Sequence, residues 1–254
     1  MITSTGNSKV KRVRRLQADR KHREREGAFV IEGTRWLDEV VHWTHTPEFV
    51  FYTKSWRQKP EHNQILLQVT GRTQLVSEEV MAAMSDTETP AGVLAILPLI
   101  PLPLPHSPTL LLILDRVRDP GNLGTILRTA AAAGADGVLL TPGTVDAYNP
   151  KVLRAGMGAH LRLPLQQTGW PEIERLTSDI AVWVAAADGS LPYTDANWRR
   201  PSALIIGSEA HGAGREAERV AGGSVYIPMH AATESLNAAI ATAVILFEAV
   251  RQRR

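Results

Sequence analysis

The sequence predicts an α/β protein: a parallel-sheet domain in the C-terminal half, preceded by a smaller α/β unit. Three observations predict it. Short apolar runs, Leu110–Leu114, Gly137–Leu140, Ile180–Val184 and Ala203–Ile206, alternate with helix-like stretches, as strands covered on both faces do. Pro98, Pro101, Pro103, Pro105 and Pro108 fall within eleven residues, a density no helix or central strand tolerates. Polar, glycine-bearing loops follow several of the apolar runs, where open α/β sheets bind ligands.

In the first part, a basic helix is expected over 8–25, then a strand at Ala28–Glu32 and a helix over Thr34–Val41 with Thr34 as its N-cap. Strands are expected at Phe49–Tyr52, Ile65–Val69 and Gly92–Leu97, and a helix over Ser77–Met84. The prolines mark an extended linker over 99–108, separating a domain over 1–98 from one over 109–254. In the second domain, helices are expected over Asn122–Ala133 and Asn149–Gly156. A short strand at Ser224–Ile227 then leads to a long helix over Ser235–Arg251.

A chain of 254 residues with 44% hydrophobic and 21% charged residues can bury a substantial core. It has no cysteine, which excludes disulfides, Cys-based metal sites and thiol nucleophiles. No apolar run reaches the ~18 residues of a membrane span, and none follows the N-terminal positive charges as in a secretory signal. A cytoplasmic protein that needs no metal is the expectation.

Net charge is only +2, but Lys9 to Glu26 carries nine Lys/Arg against three acids. Such asymmetry suggests a polyanionic partner. The RNA-binding candidates are Lys9, Arg12, Arg14, Arg15 and Arg20, beside the small polar groups Ser4, Asn7 and Ser8. A solvated helix face is the alternative.

Three segments of the second half carry chemistry. Asp115–Ala130 runs from a strand through a Pro-Gly turn into a helix holding Asn122 and Arg128, without the dinucleotide glycine spacing. In the second segment, 205–214, a hydrophobic strand empties into a loop with Gly207, Gly212 and Gly214. There Glu209 needs a cationic or hydroxyl partner if it is buried. The third, 227–240, leads from Pro228 to a helix whose first turn holds Ser235 and Asn237, with Ser235 a possible N-cap. Loops following strands of one parallel sheet should converge.

Together these segments closely resemble the three signature motifs of the SpoU (TrmH-like) RNA methyltransferases of the SPOUT superfamily. They read Asn122-x-Gly124-x-x-x-Arg128, Gly207-x-Glu209-x-x-Gly212, and Ile227-Pro228-Met229 followed by Ser235-Leu236-Asn237. The first domain resembles the L30e-like substrate-binding domain around Asn7, Lys9 and Phe29–Gly33. The resemblance implies a C-terminal trefoil knot, a homodimer, and S-adenosylmethionine-dependent methylation of a ribose 2′-hydroxyl in RNA, ribosomal RNA ahead of transfer RNA. A non-catalytic RNA-binding protein on the same fold is the alternative of another class. Carried onto this chain, the cofactor would meet Gly207, Ile227 and Leu236, with Thr141, Ser208 and Met229 nearby, and Arg154 joins the RNA-binding candidates. Two positions depart from the family pattern: Ala231, where glycine is frequent, and Gly156, where serine is common.

The resemblance offers Arg128 as the base that takes the hydroxyl proton. A charged arginine has no acceptor lone pair, so binding the phosphate next to the reacting ribose is its other available role. Asn122 would orient the hydroxyl or Arg128, Glu209 would position Arg128 or the ribose, and Ser235 and Asn237 would shape the transfer pocket.

Overall fold

The computed structural model describes residues 1–230 and 235–254. Two units form: Met1–Ile100 with Tyr148–Leu161, and Pro101–Ala147 with Arg162–Arg254.

In the first unit the order is α1 (Ser8–Ala18), α2 (Arg20–Glu26), β1 (Ala28–Glu32), α3 (Thr34–Val41), β2 (Phe49–Thr53), α4 (Lys54–Arg57), α5 (Pro60–Gln68), β3 (Arg72–Val76), α6 (Glu78–Met84) and β4 (Val93–Pro98). The strands form a mixed sheet in the order β1-β4-β2-β3, with only the β2–β3 pair parallel. Alternation sends Phe29, Ile31, Val50 and Tyr52 to one face and Ala28, Val30 and Phe51 to the other. The first face packs on Trp36, Leu37 and Val40 of α3, the second on Val10, Val13 and Leu16 of α1 and on α6. Burying each such side chain stabilises by about 1.5–3 kcal/mol.

Several expectations are corrected here. The basic helix is two helices, because the Asp19 side chain accepts from Lys21 N–H at 2.9 Å and caps α2. Thr34 is not a cap; Gly33 holds that position, and the Thr34 hydroxyl accepts from Trp56 Nε1 at 2.8 Å. The apolar run at Ile65–Val69 belongs to α5, not to a strand: Pro60 opens a helix there, which buries Leu66 and leaves Leu67 76% exposed. The strand lies further on, at the polar Arg72–Val76. The segment 148–161 clusters with this unit rather than with the C-terminal one, since Leu153 and Leu161 are buried in the core around Phe29 and Trp36. It carries α8 (Pro150–Gly156), capped by Asn149 and ending at a buried Gly156.

The second unit holds β5 (Leu110–Leu114), α7 (Pro120–Ala132), β6 (Gly137–Leu140), β7 (Leu165–Gln167), α9 (Trp170–Leu176), β8 (Ala181–Ala185), β9 (Leu191–Pro192), β10 (Ser202–Ile206), α10 (Arg215–Val220), β11 (Gly223–Tyr226) and α11 (Ala238–Arg253). Its seven strands are all parallel, in the order β7-β6-β5-β10-β8-β11-β9. From β5 the chain builds outward through β6 and β7, then returns to the other side of β5, so β5 and β10 flank a switch point. The central strands β5 and β10 are buried along their whole length, which is why both read as continuous apolar runs. The proline-rich stretch is not a bare linker, because Leu104 packs on Gly137 and against the core of this unit.

Within the first unit, Arg12 donates to Glu26 and Glu48 at 2.7 Å each, tying α1 to α2 and to the start of β2. With these side chains about a third exposed, Arg12→Gln should cost about 0.5–1 kcal/mol, seen as a lower urea midpoint. An unchanged midpoint would show that the brace carries no stability.

Candidate active site

The site grows from the carboxyl ends of β5, β8, β10 and β11. After β5 the chain enters Asp115, which is 2% exposed. Asp115 Oδ1 accepts from the Thr141 hydroxyl at 3.1 Å, and Oδ2 from the Gly214 amide at 2.8 Å and Arg116 Nη2 at 3.1 Å. One buried carboxylate therefore joins the ends of β5 and β6 to the loop after β10. Charge-assisted bonds of this kind are the strong ones, and they satisfy a charge that would otherwise be costly to bury.

The β10 loop is a closed turn. Ser208 and Gly212 exchange backbone bonds at 2.9 Å each way, and the Ser208 hydroxyl also bonds the Gly212 carbonyl at 3.2 Å. A Cβ on Gly207 would overlap the backbone of Gly212 and Ala213, and Gly212 sits at φ 63°, so the two glycines are needed for different reasons. The turn projects Glu209 back toward α7. Its carboxylate accepts from Arg118 N–H at 3.3 Å, Asp119 N–H at 3.3 Å and Asn122 Nδ2 at 3.0 Å.

Asn122 in turn accepts from Asn237 Nδ2 at 2.9 Å, and Asn237 Oδ1 caps α11 through Ala239 N–H at 2.9 Å and Ile240 N–H at 3.3 Å. The chain Glu209–Asn122–Asn237 thus joins all three sequence motifs. Its polarity is fixed at both ends: a carboxylate can only accept, and helix N–H groups can only donate. Both amides are therefore oriented without ambiguity. Partial burial favours the neutral acid, yet the bonds from Asn122 and the backbone amides outweigh it and hold Glu209 below the ordinary glutamate value.

Beside this chain lies a cavity of about 480 Å³, lined by Gly207, Ser208, Glu209, Ile227, Met229, Ser235, Leu236 and Asn237 among others. Thr141 does not line it; it is buried against Asp115. Asn122 meets the cavity only through Glu209 and Asn237. Arg128 is exposed on α7 and has no hydrogen-bond or ion-pair partner among the described residues; of the two partners expected for Glu209, Arg128 and the ribose, the first does not touch it, and Asn122 does. Ser235 is exposed and is not a helix cap, because Asn237 takes that place and α11 begins at Ala238. Likewise Asn122 sits inside α7, which Asp119 caps by accepting from the Asn122 amide at 2.7 Å. Ala231 lies outside the described residues.

The sequence reading missed the wall formed by Ala185, Ala186 and Ala187 at the end of β8, and the joining role of Asp115. Small residues at a strand's carboxyl end beside a switch point were the available signal. The cavity falls within the ~300–1,000 Å³ typical of small-ligand sites. Its apolar Ile227 and Leu236, its glycine-lined backbone and the Glu209 carboxylate suit a ligand combining an aromatic ring, polar groups and a cationic centre. S-adenosylmethionine has that composition.

A cavity of this size at the carboxyl edge of a parallel sheet, ringed by the ends of β8, β10 and β11, fits a nucleotide-like cofactor. The SpoU rRNA Methylase family model matches residues 109–247, and the MRM3-like substrate binding domain model matches 7–95. This chain belongs to the SpoU rRNA methylase family. It is 38% identical to an uncharacterized tRNA/rRNA methyltransferase of Synechocystis, over 99% of this chain and 94% of the relative. It is 32% identical to the 23S rRNA (guanosine(2553)-2'-O)-methyltransferase RlmP of Bacillus subtilis, over 97% of both chains. Among solved structures, the AdoMet-bound rRNA methyltransferase from Sinorhizobium meliloti superposes with a TM-score of 0.87 at 32% identity, over 98% of this chain and 97% of that one.

Two outcomes test this geometry. Gly207→Ala must open the turn, and is expected to weaken adenosylmethionine binding about tenfold or more by calorimetry, a loss of ~1.4 kcal/mol; unchanged affinity would refute the close packing. Because the folded pKa of Glu209 lies below 4.5, its contribution to stability is fully present above that value and is lost as pH falls through the lower folded value. The stability gap between wild type and Glu209→Gln should therefore hold at neutral pH and close in acid. A gap that widened in acid would reverse the assignment.

Proposed function

We propose that this chain transfers a methyl group from S-adenosylmethionine to a ribose 2′-hydroxyl of ribosomal RNA. The observation that carries the proposal is the Glu209–Asn122–Asn237 chain beside the cavity, since it holds three separate loops as one rigid polar wall. The cofactor, when bound, supplies an electrophilic methyl group on a sulfonium. Gly207, Ile227 and Leu236, which line the cavity, would hold it, with Ser208 and Met229 beside them. Asn122 has one amide hydrogen and one lone pair left after its two bonds, enough to orient a hydroxyl. The hydroxyl oxygen would take the methyl as the methyl–sulfonium bond breaks to leave a neutral thioether, and its proton would pass to water, since charged Arg128 has no lone pair to accept it. Arg128, charged and free to reach a polyanion, binds the adjacent phosphate and favours the ionised hydroxyl. Ser235 shapes the mouth of the pocket. Positioning of nucleophile and methyl group supplies much of the rate.

Ribosomal RNA is favoured because RlmP, alike over nearly its whole length, is named for 23S rRNA. Membership of the family further points to a trefoil knot near the C-terminus, an L30e-like first unit, and a cytoplasmic enzyme that works as a homodimer. Ile240 and Phe247, seven apart on α11 and 54% and 49% exposed, suit burial against a second copy. On the first unit, Arg14 and Arg15 are exposed for RNA, whereas Arg12, Arg20 and Arg154 each engage a carboxylate of that unit.

The test is methyl transfer from labelled adenosylmethionine to ribosomal RNA, with the product mapped by mass spectrometry as a 2′-O-methyl nucleoside. Arg128→Ala should lose at least about a hundredfold in kcat, roughly 2.7 kcal/mol of transition-state stabilisation, while cofactor affinity stays intact. Base methylation, or near-normal turnover by the variant, would overturn the assignment.

A further inference from the structure

We propose that Lys9, Phe49 and Arg72 of the first unit form an anion seat that grips a phosphodiester of the RNA substrate. The proposal rests on the RNA reading above. Lys9 Nζ lies 4.5 Å from the centroid of the Phe49 ring, and Arg72 Cζ lies 5.7 Å from the same centroid. Two cations therefore share one aromatic ring. Neither Lys9 nor Arg72 has a carboxylate partner among the described residues, so both charges remain available to an anion that reaches the edge of the Phe49 ring.

The ring makes the seat effective. A cation held over an aromatic face is oriented by the ring quadrupole without giving up its N–H donors. A cation held by a carboxylate gives them up. Arg12 shows the contrast one helical turn from Lys9, since its Nε and Nη1 are taken by Glu26 and Glu48. Lys9 keeps three donors and Arg72 five, arranged for phosphate oxygens. Phe49 is itself anchored: it stacks on Phe51 with centroids 5.8 Å apart, and Phe51 is fully buried. The three groups come from α1, β2 and β3, so only the folded unit assembles them. Lys9 is fixed locally because Asn7 caps α1 through the Lys9 amide at 2.9 Å.

The test uses the full chain and a ribosomal RNA fragment that the wild type methylates. In Lys9→Gln/Arg72→Gln, the slope of log affinity against log salt should fall by about 0.7–0.9, as the loss of one neutralised phosphate requires. The KM for RNA should rise about tenfold, with kcat and adenosylmethionine affinity unchanged. Phe49→Leu keeps the apolar contact and both charges but removes the π face. It should weaken RNA binding several-fold while nearly preserving the salt slope. Unchanged slope and KM in a folded double variant would overturn the seat, and so would wild-type affinity in Phe49→Leu. Failure of the wild type to methylate any RNA would instead strike the function proposed above, so the two failures are distinguishable.

Discussion

The second unit depends on one carboxylate. Glu209 leaves the end of β10 and accepts hydrogen bonds from two backbone amides and from Asn122, all at the entry to α7. Without it, those donors would lose their acceptor, and the Asn122 amide could turn either way. With it, the amide orientation passes on to Asn237 and ends on the N-terminus of α11. A negative charge at one end and a helix N-terminus at the other polarise every bond between them in the same sense. The polarity of the chain therefore has one solution.

Behind this chain stands a second constraint. Asp115 is buried and joins Thr141, Arg116 and Gly214, so the β10 loop is held at its far end as firmly as Glu209 holds its near one. The glycines of the loop follow from this crowding. Gly207 has backbone where a Cβ would be, and Gly214 has the Arg116 side chain there. Parallel pairing of β5 with β10, Leu114 opposite Ile206, sets the two strand exits side by side, so that loops 90 residues apart in sequence meet.

In the first unit, the same residue types do two kinds of work. Arg12 and Arg23 are spent on structure: Arg12 on Glu26 and Glu48, and the buried Arg23 on the carbonyls of Leu16 and Gln17. Arg14 and Arg15 are exposed, while Lys9 and Arg72 rest on Phe49 with their donors unspent. A run of basic residues is therefore not one surface. Which members can meet a phosphate depends on where the acids of distant elements fall, and Glu48 lies 36 residues from Arg12.

Much of this protein was legible in its sequence. Strands such as Ala28–Glu32 and Leu110–Leu114 could be read to the residue, because continuous burial demands continuous apolar runs. Glu209 stood out because a carboxylate at the exit of an apolar strand needs a partner, whereas Asn122 and Asn237 stood out through the resemblance to the family's motifs. Sequence could not say which partners. It offered Arg128 or the ribose to Glu209, whose described partners are Asn122 and two backbone amides, and it made a strand of Ile65–Val69. The first turns on contacts between residues far apart in the chain, on which periodicity and capping are silent; the second had a local signal in Pro60, which opens α5. Local chemistry determined which residues would be exposed at strand ends; the order and register of the strands decided which of them touch.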